Sequence, residues 1–168
     1  MTGALGLTAA AAAGAWAWSS RWKYVVVHHS AGGFGTIEFL QRVHRERQPN
    51  DPVDAIPYHF VIGNGNGLGL GEIARDWRGE WGVWGAHVSG NNSRINARGI
   101  GVCLIGNFEE HDVPPEQLES LVILTRHLIS RHDIDVADVL AHGRIAGEST
   151  KCPGKRFPWE RFKRMVSA

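Results

Sequence analysis

Three side chains in this chain can together hold a borderline-soft metal ion: an imidazole from the pair His28-His29, the imidazole of His142 and the thiol of Cys152. The pair closes a β-branched run, Val25-Val26-Val27, which has the composition of a buried strand. Strand ends hold side chains rigidly beside a cleft, which is where folds place chemistry. The other two donors lie in one stretch, AHGRIAGESTKCPG, with Cys152 ten positions after His142. Two nitrogens and one sulfur suit zinc, and three protein ligands leave a fourth position for water, the pattern of a catalytic rather than a structural site. Read from residue types alone, a second account stands beside this one. A histidine pair at a strand end can be incidental, and a lone cysteine usually behaves as a small hydrophobe.

The elements that must position these donors are legible in outline. Tyr24 to His28 reads as the first strand. Thr36 can cap a helix to about Gln48 with Ile37, Leu40 and Val43 on one face. After a loop rich in Pro, Asn and Asp, Tyr58 to Ile62 reads as a second strand, Asn64-Gly65-Asn66-Gly67 as a hairpin turn and Leu68 to Ile73 as the return strand. Residues 75–96 form a long Trp- and Gly-rich loop, and loops of that length in compact domains are usually functional. Gly99 to Gly106 is an apolar run expected in the middle of a sheet. Pro114 and Pro115 open a helix to about His132, with Leu118, Leu121, Val122, Leu128 and Ile129 on one face. Val136 to Ala141 leads into the second donor stretch, and Pro158 to Met165 closes the chain as a short helix. Strands alternate with helices, so the expected fold is a single α/β domain. It has a central mixed β-sheet flanked by α-helices and a zinc cleft at one end of the sheet.

Composition sets bounds. The 168 residues suit one domain with a proper core, and 43% hydrophobic with 21% charged residues is ordinary for a globular chain. A formal net charge of +1 argues against electrostatic capture of nucleic acid. Seven Trp and 21 Gly stand out, with Trp77, Trp81 and Trp84 crowded together. Trp offers a flat apolar face suited to sugar rings, although about half of these are expected to fill the core. The two cysteines, Cys103 and Cys152, are expected to remain free. Residues 1–20 are apolar, Ala-rich and uncharged, and are set apart from the domain at 21–168. They can be a secretory signal with Ala15-Trp16-Ala17 as its cleavage site, a membrane anchor or a docked helix. Export or anchoring is the preferred expectation, although no Lys or Arg precedes the apolar run.

Four pieces, VVVHHSAG, PYHFVIGNGNG, GAHVSGNNSRINARGIGVCLIGNF and AHGRIAGESTKCPGKRFPW, occur in order between Tyr24 and Phe162. In this the chain resembles the zinc-dependent N-acetylmuramoyl-L-alanine amidases, a family that includes phage lysozyme-type enzymes, bacterial cell-wall amidases and animal peptidoglycan recognition proteins. The resemblance implies one zinc on His28, His142 and Cys152. His29 then points to the opposite face, since side chains alternate along a strand. It implies Tyr58 and Thr150 as catalytic donors, with Lys151 as a possible substitute, because phage members carry Lys where this chain has Thr150. Cys103 stands where cytoplasmic recycling members carry Glu, so that branch's mechanism is not supported. His87, Asn92 and Trp84 are assigned to substrate, and His44, His111, His127 and His132 to polar helix faces or loops without function. The implied partner is peptidoglycan or its muropeptides, met as a monomer in the periplasm or outside the cell. Two alternatives remain: a non-catalytic peptidoglycan-binding module of the same fold, and a Cys/His hydrolase using Cys152 as nucleophile.

Overall fold

The structure, a computed structural model, describes residues 21–168, so the expectations for residues 1–20 lie outside the described residues. In chain order the main elements are β1 (Tyr24–His29), α1 (Ile37–Arg47), β2 (Phe60–Ile62), β3 (Ile73–Ala74), α2 (Trp77–Trp81), α3 (Ser93–Arg98), β4 (Gly99–Leu104), α4 (Pro115–His132), β5 (Val139–Ala141) and α5 (Trp159–Ser167). The five strands form one sheet in the order β3-β2-β4-β1-β5. All neighbours are parallel except the edge pair β2 and β3, so the sheet is mixed. A parallel sheet must be covered on both faces, and this one is. On one face α4 and α5 bring Leu118, Leu121, Leu128, Phe162 and Val166 against Val25, Val27, Val102 and Leu104. On the other, α1 packs Leu40 against Ile56, Val61 and Ile105. Burying one such side chain fully contributes about 1.5–3 kcal/mol.

β1 is flanked by β4 and β5 and is the strand that sets the site. Val25 and Val27 enter the larger core, while Val26 enters a small cluster with Val88 and Ile145 on the opposite face. Strand alternation continues this division, so His28 shares the face of Val26 and His29 that of Val25 and Val27. Thr36 caps α1 by accepting from the Phe39 N–H at 3.2 Å, as its residue type suggests.

Local chemistry overrode the sequence pattern at several places. Tyr58 precedes rather than begins β2, which starts at Phe60. The return strand is only Ile73–Ala74, not Leu68 to Ile73. Gly65, Gly67 and Gly71 have positive φ and curl residues 64–72 back on Gly35, which accepts from the Leu68 N–H. The stretch 75–96 is not wholly loop, because it contains α2 and the start of α3. His44 is not on a polar face: it is buried, with Nε2 2.7 Å from Asp51 Oδ2. Cys103 and Cys152 are both free thiols. No helix among the described residues is long and apolar enough to cross a membrane.

Candidate metal centre

Two parallel strands end side by side at one end of the sheet, and these two strands and the loop that follows β5 each bring a donor. His28 stands near the end of β1, His142 follows directly on β5, and Cys152 arrives on the loop after it. One donor atom from each lies within 4.8 Å of the others. His28 Nδ1 is 3.1 Å from His142 Nδ1 and 3.8 Å from Cys152 Sγ. The Cys152 sulfur also accepts the His29 backbone N–H at 3.3 Å.

The hydrogen bonds behind the cluster decide where the ring protons sit. His87 Nε2 faces the Gly99 carbonyl at 3.3 Å, which can only accept, so this nitrogen carries the proton. Burial holds the His87 ring neutral, with its pKa lowered to about 3, so Nδ1 is a bare acceptor. His28 Nε2 lies 3.1 Å from that Nδ1 and must donate to it. Burial first, then the neighbouring imidazoles of His87 and His142, lower the His28 pKa well below its ordinary value, so its Nδ1 also is bare. His142 Nε2 lies 3.0 Å from Glu148 Oε2. Burial alone would raise the Glu148 pKa, but hydrogen bonds from Ser89, Asn92 and His142 hold it at about 2. The carboxylate therefore accepts a hydrogen bond from His142 Nε2–H, which turns His142 Nδ1 inward toward His28. The Nδ1 atoms of His28 and His142 thus meet beside the Cys152 sulfur. The three donors converge closely enough to share one ion, and the nitrogen-nitrogen-sulfur set fits zinc. Burial pushes the Cys152 thiol up to about 12, and a bound divalent cation reverses this by favouring the thiolate.

A cleft of about 510 Å³ opens over the cluster, lined among others by Ser30, Tyr58, His87, His142, Glu148 and Thr150. Tyr58 packs its ring on His28 with centroids 5.1 Å apart. Burial, then the Cys103 and Cys152 thiols, raise its pKa well above that of a free phenol, which keeps the hydroxyl a donor. Thr150 Oγ1 accepts the Cys152 N–H at 3.2 Å, and its own proton can be donated into the cleft. Lys151 does not line this cleft but a second cavity that Thr150 also borders, and its Nζ lies 3.8 Å from Glu109. It is therefore badly placed to replace Thr150.

The three residues assigned to substrate fall in different places. His87 touches the cleft, but both its nitrogens are taken by His28 and Gly99, so it supports a donor rather than offering one. Gly85 and Gly101 make room for its ring: a Cβ on either would lie 2.2 or 2.7 Å from His87 Cδ2. Asn92 turns its amide inward to Ala146 O and Glu148 Oε1. Trp84, 47% exposed, lines a neighbouring cavity that shares Arg47, Gln48, Ala86 and Val88 with the cleft. His29 stands on the other face, where its Nδ1 accepts the Phe108 N–H at 3.1 Å. Glu148 is the residue that sequence reasoning missed. A Glu six positions past a ligand candidate carries no signal of its own, and its role appears only when Ser89 and Asn92 are seen around it.

The chain is similar in sequence and fold to known proteins. Residues 18–155 match the family model described as N-acetylmuramoyl-L-alanine amidase. The chain is 29% identical over 146 residues to peptidoglycan-recognition protein SC2 of Drosophila melanogaster, covering 84% of this chain and 72% of that protein. Its fold superposes with a TM-score of 0.73 on the N-acetylmuramoyl-L-alanine amidase LysC from Clostridium intestinale, at 29% identity over 90% of this chain and 89% of the other. It also resembles peptidoglycan recognition protein LE in complex with tracheal cytotoxin, at TM-score 0.66 and 25% identity over 84% and 79% of the two chains. With most of its length matched by the family model and the fold shared with a solved amidase, this chain belongs to the N-acetylmuramoyl-L-alanine amidase family.

Proposed function

We propose that this protein is a zinc-dependent hydrolase of the amide bond between N-acetylmuramic acid and L-alanine in peptidoglycan. The observation that carries the reading is the convergence of His28, His142 and the Cys152 sulfur at the floor of an open cleft. When bound, zinc supplies Lewis acidity and lowers the pKa of a coordinated water toward ~7.

The chain's own residues do the rest. His28, His142 and Cys152 would hold one zinc. His87 and Glu148 keep the ligand rings in the tautomer that exposes Nδ1. Tyr58, held protonated by burial, donates a hydrogen bond to negative charge developing on the scissile carbonyl oxygen, and the Thr150 hydroxyl, which lines the same cleft, does the same. Phe34 and Phe39 line the same cleft and restrict water around the substrate. A substrate of this kind lies in the periplasm or outside the cell, and the activity with it.

The relatives named peptidoglycan-recognition proteins favour one second reading, a module that binds peptidoglycan without cutting it. The full donor set and the Tyr58 hydroxyl beside it support the enzyme. Catalysis by a Cys152 thiolate is disfavoured, because burial pushes its thiol up to about 12. Digestion of purified peptidoglycan with mass analysis of the products is the test. Free stem peptides beginning with L-alanine, lost on chelation and restored by zinc, are expected. Binding without any product from zinc-loaded protein would favour the module, and turnover that survives chelation would favour the thiolate.

A further inference from the structure

Glu148 joins two parts of the molecule that the proposed mechanism treats separately. Its side chain is only 5% exposed, and each of its oxygens is engaged. Oε2 faces His142 Nε2 at 3.0 Å. Oε1 accepts from Ser89 Oγ at 2.6 Å, Asn92 Nδ2 at 2.6 Å and the Ser89 backbone N–H at 3.1 Å. Ser89 and Asn92 belong to the turn around Gly90–Asn92 that leads into α3, and Ser89 also lines the cleft beside His87. One carboxylate therefore sets the tautomer of a metal-ligand candidate and closes the cleft-side turn.

We propose that Glu148 is a positioning residue that couples metal affinity to the order of the 89–92 turn, so that neither reaches its full value without the other. The inference rests on the reading that His28, His142 and Cys152 hold zinc. Physically, the turn supplies three donors that hold the carboxylate still, and the carboxylate holds His142 with Nδ1 inward. Such outer partners raise ligand basicity, and their loss costs metal affinity ~10–100-fold. Glutamine is the informative substitute because it has one acceptor and one donor where the carboxylate has two acceptors. If the amide nitrogen of the Glu148→Gln side chain faces His142, two donors meet and the ring must move its proton to Nδ1, which removes the ligand lone pair. If the amide carbonyl faces His142, the amide nitrogen meets the Ser89 and Asn92 donors, and the turn loosens instead.

The test measures zinc affinity by chelator competition and amide exchange at Ser89 by hydrogen exchange. Glu148→Ala and Glu148→Gln should bind zinc ~10–100-fold more weakly than the wild type. Substituting Co²⁺ should give Glu148→Gln a shifted visible band, which a merely structural tie would not change. Asn92→Ala touches no donor atom of the cluster and still should weaken zinc several-fold. It also carries the test if the Glu148 variants fail to fold. Adding zinc to metal-free wild type should slow exchange at the Ser89 amide. Wild-type zinc affinity in both Glu148→Ala and Asn92→Ala, or Ser89 exchange indifferent to zinc, overturns the coupling. A wild type that binds zinc but cleaves nothing sinks the amidase reading and leaves this one standing, whereas a wild type that binds no zinc sinks both.

Discussion

Among the described residues, one buried polar cluster surrounds Arg78 and another surrounds His28, and the first is closed while the second is open. The Arg78 side chain is fully buried, and each arm of its guanidinium is matched. Nε donates to Ile56 O at 2.9 Å, Nη1 to Trp84 O and Nη2 to Asp51 Oδ2 at 2.6 Å. The same Asp51 oxygen faces His44 Nε2 at 2.7 Å, and its partner accepts the Val53 N–H at 3.0 Å. Donors meet acceptors throughout, and the result clamps the 48–57 loop onto α2. Around His28 the outward nitrogens are matched in the same way, by His87 and Glu148, but the inward ones face each other. Burial of polar groups is common to both clusters, so burial does not mark the site. Convergence of three metal-ligand side chains beside an open cleft does.

The comparison can be broken by exchanging the consequences. Cys152→Ala should abolish zinc binding and all hydrolysis while leaving the fold intact, because two imidazoles alone hold zinc weakly; metal content of the purified variant measures this. A full equivalent of zinc would remove Cys152 from the donor set. Asp51→Ala should do the reverse. It leaves a buried guanidinium without its counter-charge, at a cost of about 3–5 kcal/mol in denaturant unfolding, while the protein that remains folded still binds zinc. The same pair gives a pH dependence. Burial would raise the Asp51 pKa, but His44, the Val53 N–H and Arg78 together lower it, so its folded value lies below its unfolded value of about 3.9. Its stabilisation is therefore present above that value and lost as pH falls through the folded one. Acid unfolding of Asp51→Asn should lack this component.

Smaller effects sharpen the division within the cleft. Tyr58→Phe removes one oxygen and keeps the ring against His28, so zinc content and stability should be unchanged. The turnover number on muropeptide should fall ~10²–10³-fold with little change in substrate affinity, since the lost bond belongs to the transition state. Wild-type turnover would exclude Tyr58 from the chemistry. Thr150→Val should lose less, and Lys151→Ala least, because Lys151 lines the other cavity. His29→Ala belongs with the closed kind of cluster. It leaves the Phe108 N–H without its acceptor, and about 1–3 kcal/mol of stability should go while zinc is retained. Loss of zinc in His29→Ala but not in His28→Ala would mean that the strand register at the site is shifted by one.

Much of this was legible in the residues. The β-branched run into a histidine pair, the capping Thr36 and the apolar stripe of α4 each follow from local chemistry, and each forms where that chemistry places it. Strand alternation alone separated His28 from His29. The short β3 was not legible, because alternating apolar residues suggested a strand while Gly67 and Gly71 took positive φ. Nor was the buried His44, whose surroundings come from a loop outside its helix.

The sequence by itself determined which donors exist and which strands carry them. Only the tertiary structure decided which nitrogen of each imidazole is free. That choice depends on His87, 59 positions from His28, and on Glu148, held by Ser89 from 59 positions away. A histidine's usable lone pair is set by the partner of its other nitrogen, and for these rings that partner is brought by the packing of distant segments, not by the neighbours in the chain.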